Sequence, residues 1–167
     1  MAINKLRYNM DSLEKIQKSL ETAKNYRAKV GIFENKDARN ATGNEGLGNA
    51  DIGARHEFGF TVSEGPFKGA RVAARSFLRM PIATHLGEIS KMMKSDAMAL
   101  LAAGKLDMLF KRLGIACEKI IDQAFQTSGW GSWAPNSIMT IMLKGSDKPL
   151  IDTAQLRRSI ASKVEKQ

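Results

Sequence analysis

The chain has 167 residues, 43% of them hydrophobic and 26% charged, and a net charge of +9. That fits one folded domain over residues 1–167, large enough for a real core, with an anionic surface, nucleic acid or an acidic protein as possible partners. A single cysteine, Cys117, excludes an internal disulfide and a multi-cysteine metal site, and no apolar run approaches the ~18 residues of a membrane span.

Leu6, Met10, Leu13, Ile16, Leu20 and Ala23 recur at steps of three and four, which predicts an amphipathic helix ending near Asn25–Tyr26. No signal-peptide pattern precedes it, so synthesis in the cytoplasm is expected. Alternation of Ala28, Val30 and Ile32 predicts a strand from Lys29 to about Glu34, with Gly31 marking a bulge or a close backbone neighbour. The Asn- and Gly-rich stretch from Asn35 to Asn49 reads as an exposed, mobile loop, and its glycines match neither a dinucleotide fingerprint nor a P-loop. Ala50 to Phe58 reads as a short helix capped by a left-handed Gly59. Its His56–Glu57 pair is half of a zinc-protease motif, but Phe60 stands where the second histidine belongs.

Val62 and Arg71 to Ala74 read as the arms of a hairpin around Gly65–Pro66 and Gly69. Ser76-Phe77-Leu78 leads into Pro81 in the first turn of a helix. Ile82, Leu86, Ile89, Met93, Ala97 and Leu100 continue it, and Leu106, Leu109, Leu113, Ala116, Ile120 and Ala124 mark a second helix. Gly104 separates the two, or kinks a single long helix. Cys117 falls in this apolar pattern as a small buried hydrophobe. Trp130 and Trp133, the chain's two tryptophans, share a Gly/Ser-rich loop. Ser137 to Leu143 reads as a short helix capped by Asn136 or Ser137. A last helix begins with Asp152 as N-cap, Gln155 completing a capping box, and Ile151 stapled to Leu156; Ala161 to Val164 is a closing strand. No Ser-His-Asp order, nucleophile elbow or paired carboxylates stands out, so no catalytic, cofactor-binding or metal-binding residue is assigned.

Charge is segregated. Residues 1–29 carry seven Lys/Arg against three Asp/Glu, residues 34–64 six acids against three bases, and residues 65–80 four bases and no acid. Separate patches of opposite sign suit head-to-tail binding between copies. With the tryptophans, they make Arg71, Arg75, Arg79, Trp130 and Trp133 the candidate subunit or partner contacts.

Several stretches resemble a known family in the same order. Trp133, Pro135, Ser137, Thr140 and Lys144, then Pro149, Leu150, Ile151, Asp152, Thr153, Leu156, Ser159 and Ile160, resemble the C-terminal signature of tailed-bacteriophage tail-completion and virion-morphogenesis proteins. KVGIFE, ADIGARHEFG and ARVAARSFLR are similar to that family's Val-Gly-Ile strand, its Ala-x-His-Glu-Phe-Gly segment and its Pro-Ala-Arg-x-Phe-Leu-Arg segment. Two positions depart. Ala154 stands where the family usually has glycine, which implies that no left-handed backbone is needed there, and Val72-Ala73-Ala74 stands where a proline is common.

The resemblance implies a non-catalytic virion subunit without cofactor or metal. It would form a ring, hexameric to match phage tails, at the head-proximal end of the tail beside other neck and tail proteins. It makes Asp152, Thr153, Gln155 and Leu156 a structural signature that docks the last helix. The charge supports an alternative, a basic nucleic-acid-binding protein, for which no recognised motif is present. A hydrolase using His56–Glu57 is the third reading. The fold expected is α+β: a small, mostly antiparallel sheet packed against the N-terminal helix and the two central helices.

Overall fold

The apolar periodicities fold as α-helices, and the short β-branched and aromatic runs between them as strands. The structure, a computed structural model, describes residues 2–37, 46–150 and 154–167, without the side chains of residues 2–9 and Ser95. In chain order the elements are α1 (Ala2–Ala23), β1 (Tyr26–Ile32), α2 (Glu34–Asp37), α3 (Asn49–Phe58), β2 (Phe60–Thr61), β3 (Arg71–Val72), α4 (Arg79–Thr84), α5 (Leu86–Ala102), α6 (Leu106–Gln126), α7 (Ile138–Lys144), α8 (Gln155–Ser159) and β4 (Ile160–Lys166). The class is α+β, with the described strands in two two-stranded sheets, β1 beside β4 and β2 beside β3. Contacts group the chain into two compact units: Met1–Val30, Leu86–Cys117 and Ser162–Gln167 in the first, Gly31–His85 and Glu118–Ala161 in the second.

In the first unit α1 runs along α5. Helix α5 ends at a turn around Gly104, whose φ of 66° lies in the left-handed region, so α5 and α6 are separate helices rather than one kinked rod. Arg112 of α6 pairs with Asp96 of α5. The β1–β4 sheet packs on α6: Tyr26 stacks on Phe110 with ring centroids 5.5 Å apart. Ser162 approaches α6 at Gly114, where a Cβ would sit 2.5 Å from the Ser162 Oγ. Glycine there lets helix and strand close together.

In the second unit β2 and β3 form an antiparallel hairpin, Phe60 opposite Val72 and Thr61 opposite Arg71. Gly59 enters it with φ 77°, and a Cβ would lie 2.9 Å from both the Ala74 nitrogen and the Val72 oxygen. Backbone conformation and backbone proximity therefore both require glycine. The core is aromatic and aliphatic: Phe77, Phe125, Ile120 and Ile121 are fully buried. Phe77 lies 5.3 Å from Phe125, and Trp133 meets Phe125 edge-on at 5.7 Å.

Four local expectations are corrected. At Gly31 a Cβ would meet nothing within 4 Å, so no close neighbour explains that glycine. The helix expected to continue from Pro81 through Leu100 breaks at His85, between α4 and α5. On α1 the inward side is Ile16, Ser19 and Ala23, whereas Met10, Leu13 and Leu20 are 59%, 64% and 52% exposed. Apolar spacing located the helix but not its buried face. The last helix starts at Gln155, with Ala154 in the N-cap position at φ 58°, ψ 15°, so its backbone is left-handed after all.

Asp152, Thr153 and Ile151, named for the capping box and staple, lie outside the described residues, as do residues 38–45 of the Asn35–Asn49 loop. Gln155 and Leu156 are described; Leu156 is buried. The flanks of that loop are joined: the Ala50 N–H donates to Asp37 Oδ1 at 2.6 Å, and Asn49 Nδ2 donates to the Lys36 carbonyl at 3.1 Å.

An alanine in left-handed conformation is strained, and glycine removes the clash between Cβ and backbone. Ala154→Gly is expected to raise unfolding stability by about 1 kcal/mol. The shift in chemical-denaturation midpoint measures it, and a destabilised variant would refute the left-handed assignment.

Candidate functional site

Helix α4 begins without a cap of its own, since the N-cap position is Leu78 and no side chain of its own closes it. Such a start leaves up to four N–H groups without intrahelical acceptors. Glu57, near the end of α3, supplies what is missing. Its Oε2 accepts from the Phe77 and Leu78 N–H groups at 2.8 and 3.0 Å, and its Oε1 from the Arg79 N–H at 3.2 Å. The Ser76 hydroxyl also donates to Oε1, at 2.5 Å, and accepts from the Met80 N–H at 3.1 Å. The next residue is Pro81, which has no N–H. Arg79 completes the arrangement with an Nε–Oε1 contact of 3.3 Å, while its guanidinium lies 4.8 Å over the exposed Phe58 ring.

Glu57 is 4% exposed. Burial pushes its carboxyl pKa up, but the Ser76 hydroxyl and the backbone N–H groups of Leu78, Arg79 and Phe77 outweigh it and hold the value below the ordinary range. The carboxylate is saturated with donors, which suits a structural anchor and not a proton-transfer group. Among the described residues no group of three or more His, Cys, Asp or Glu is placed to hold a metal ion.

The candidate contact residues divide. Arg75 is buried, its Nε donating to the Ala134 carbonyl at 2.9 Å and Nη2 to the Pro135 carbonyl at 3.0 Å. Burial lowers its pKa from the usual arginine value. Trp133 is buried against Phe125. Both side chains hold the protein's own interior together. Arg71 is exposed on β3, Arg79 faces outward beside Phe58, and Trp130 is 43% exposed and stacked on His85 with centroids 3.8 Å apart. Positive φ at Ser128, Gly129, Trp130 and Gly131 gives this loop a left-handed turn that carries the indole.

Two features escaped the sequence reading. The Glu57 anchor had a signal: a helix start through Leu78 with no acceptor of its own implies one from elsewhere. The bidentate pair of Arg157 with Asp122, at 2.5 and 2.9 Å, had none, because 35 residues separate the partners. The hydrogen bond from Arg157 is the main reason the Asp122 pKa lies below its usual value.

Beside the hairpin, the second unit carries an open groove of about 1000 Å³, lined in part by Arg55, Phe67, Arg71, Met139 and Leu143. Comparison of the chain with protein-family models, with curated proteins and with solved structures finds no match.

Because the Glu57 pKa is lower in the folded state, its contribution is present in full above the unfolded value of about 4.3 and is lost as pH falls through the folded value. Glu57→Gln is therefore expected to be less stable than wild type at pH 7, by about 3 kcal/mol or more, since its amide N–H₂ would face donors. Its loss of stability from pH 5 to pH 2 should be shallower. Denaturation midpoints across that range test both expectations, and parallel pH curves for the two proteins would overturn the anchor.

Proposed function

We propose that the protein is a non-catalytic subunit of a tailed-phage virion, forming a ring at the head-proximal end of the tail and serving head–tail joining. The observation that carries this reading is the convergence of the stretches resembling the tail-completion family. Side chains of Ile32, Phe77 and Leu156, one from each of three stretches, lie 3.0, 3.3 and 3.5 Å from the position a Cβ would take at Gly53, in a fourth. Arg75 joins the Ala-Arg-x-Phe-Leu-Arg-like stretch to the Trp-x-Pro stretch, and Glu57 joins it to the His-Glu-Phe-Gly stretch. Residues shared with a family for structural reasons should meet in one core in this way.

The surface supports an assembly role. Among the described residues sixteen large apolar side chains are exposed, and seven of them are methionines, which suit adaptable contacts. No helix of the described residues is long and apolar enough to cross a membrane.

The test is the protein's presence in particles. Purified virions are expected to contain it in a small fixed copy number, six for a hexameric ring. Loss of the gene should leave heads and tails unjoined. Trp130→Ala should fold normally and lower the yield of infectious particles. Virions lacking the protein, together with salt-sensitive binding to plain duplex DNA at physiological ionic strength, would sink this reading and favour the nucleic-acid alternative.

A further inference from the structure

The positive charge of the chain is unevenly divided. The first unit holds 14 Lys/Arg against 7 Asp/Glu, a net +7, and the second 12 against 10, a net +2. In the second unit Arg75 is buried and Arg157 is bound to Asp122. In the first, all twelve bases whose side chains are described are exposed, and three of them, Lys29, Lys111 and Arg112, are in ion pairs.

The β1–β4 sheet gathers this charge on one face. The Gln167 N–H donates to the Asn25 carbonyl at 2.7 Å, so the end of β4 lies beside the start of β1. Successive side chains of a strand point to opposite faces. Tyr26 and Ser162 turn toward α6, which leaves Arg27 and Lys29 of β1, with Lys163 and Glu165 of β4, on the outer face. Lys166 belongs to the inner side, 5.7 Å from the Tyr26 ring centre. Glu165 pairs with Lys29 at 2.6 Å, and that hydrogen bond, with the charges of Lys163 and Arg27 added, holds its carboxyl below the ordinary value. Three cations therefore surround one carboxylate. Alternate residues of a strand stand about 7 Å apart and neighbouring strands about 5 Å, within a Debye length at 0.1 M salt, so their fields add. The carboxylates of this unit that lack an ion pair among the described residues, Asp11, Glu14, Glu21 and Glu88, lie on α1 and α5 and not on the sheet.

The make-up of this face limits what it can hold. A protein interface is built round an apolar centre, and a membrane-surface contact inserts apolar side chains beneath its cations. The large apolar side chains that this unit exposes all lie on helices, none on the sheet. Single-stranded nucleic acid takes stacking rings, and the described rings of this unit, Tyr26 and Phe110, are stacked on each other instead. The phosphate backbone of a duplex asks only for exposed cations.

We propose that the outer face of the β1–β4 sheet, through Arg27, Lys29 and Lys163, contacts the phosphodiester backbone of a nucleic-acid duplex without regard to its sequence. The contact goes beyond the virion reading and does not rest on it, since such a face serves a virion subunit and a free protein alike.

The experiment measures binding of the purified full chain to short duplex DNA of two unrelated sequences, and to duplex RNA, between about 50 and 200 mM salt. Equal affinity for the two DNA sequences is expected, falling steadily with salt, and the tighter of DNA and RNA names the source of the backbone. Arg27→Gln with Lys163→Gln should weaken binding about tenfold at the low-salt end and reduce the log–log salt slope by about two. Lys68→Gln with Lys148→Gln removes the same charge from exposed positions of the second unit and should change affinity by less than about twofold. Glu165→Gln should tighten binding several-fold, a gain that no folding defect imitates.

Equal losses in the two double variants would reduce the effect to net charge and overturn the proposal. So would the absence of binding at about 50 mM salt. Tighter binding to polyglutamate of matched charge, or to phosphatidylserine vesicles, would assign the face to an acidic protein or a lipid surface and overturn it as well. The presence of the protein in virions is a separate measurement, and whichever way it falls the sheet-face variants decide this contact.

Discussion

The buried carboxylate of Glu57 is the constraint around which the second unit is organised. A short helix whose start offers only Leu78 in the capping position cannot stand alone, because its free N–H groups would face a core containing Phe77. An ionised carboxylate meets that need in a way an amide or hydroxyl could not: it accepts on both oxygens and carries the negative charge that a helix N-terminus favours. Glu57 in turn can remain charged and buried because those donors, and Arg79, replace its water. Neither the end of α3 nor the start of α4 is explicable without the other. The hairpin between them is bounded by the same two elements.

Arg75 and Arg157 extend this logic to segments poor in regular structure. The loop after α6 turns through several left-handed residues and is held as far as Trp133 by its own backbone, with the Gly129 N–H donating to the Ala124 carbonyl at 2.7 Å and the Trp133 N–H to the Ser128 carbonyl at 3.1 Å. Arg75 fixes two of its carbonyls, and Trp133 fills the space beneath. Arg157 grips Asp122 with both ends of its guanidinium and ties α8 to the end of α6. A lysine, a point charge without the planar fork of the guanidinium, could not reproduce either bidentate geometry. Part of the positive charge that suggests an anionic partner in the sequence therefore belongs to internal fastening, which weakens charge alone as an argument for nucleic acid.

Much of the architecture was legible in the residues, and the gaps have physical causes. Three- and four-residue spacing located α1, α5 and α6, and the cap of α7 was narrowed to Asn136 or Ser137; it is Ser137, whose hydroxyl accepts from the Thr140 N–H at 3.2 Å. Glycines located the hairpin. Spacing could not say which face of α1 turns inward, because Ser19 is small enough to be buried while Leu13 stays outside. The left-handed backbone at Ala154 was hidden because alanine gives no sign of it. Trp130 and Trp133 were legible as important residues but not as opposites, one half outside and one enclosed. That distinction depends on a turn in which Trp130 itself adopts positive φ.

For the proposed assembly, the burial of Arg75 and Trp133 alters where a contact can be sought. Side chains that complete a subunit's own core cannot also present themselves to a neighbour, so the basic run from Lys68 to Arg79 is not one continuous docking strip. Arg71 and Arg79 remain at the surface, but Arg79 is held between Glu57 and Phe58 and presents a fixed plate rather than a mobile charge. Fixed groups lose less freedom on association than flexible ones. The same holds for Trp130, pinned on His85 by stacking and by its left-handed backbone. For the proposed assembly, the exposed methionines of α5 in the first unit and of α7 in the second would each supply the other kind of contact, adaptable and apolar.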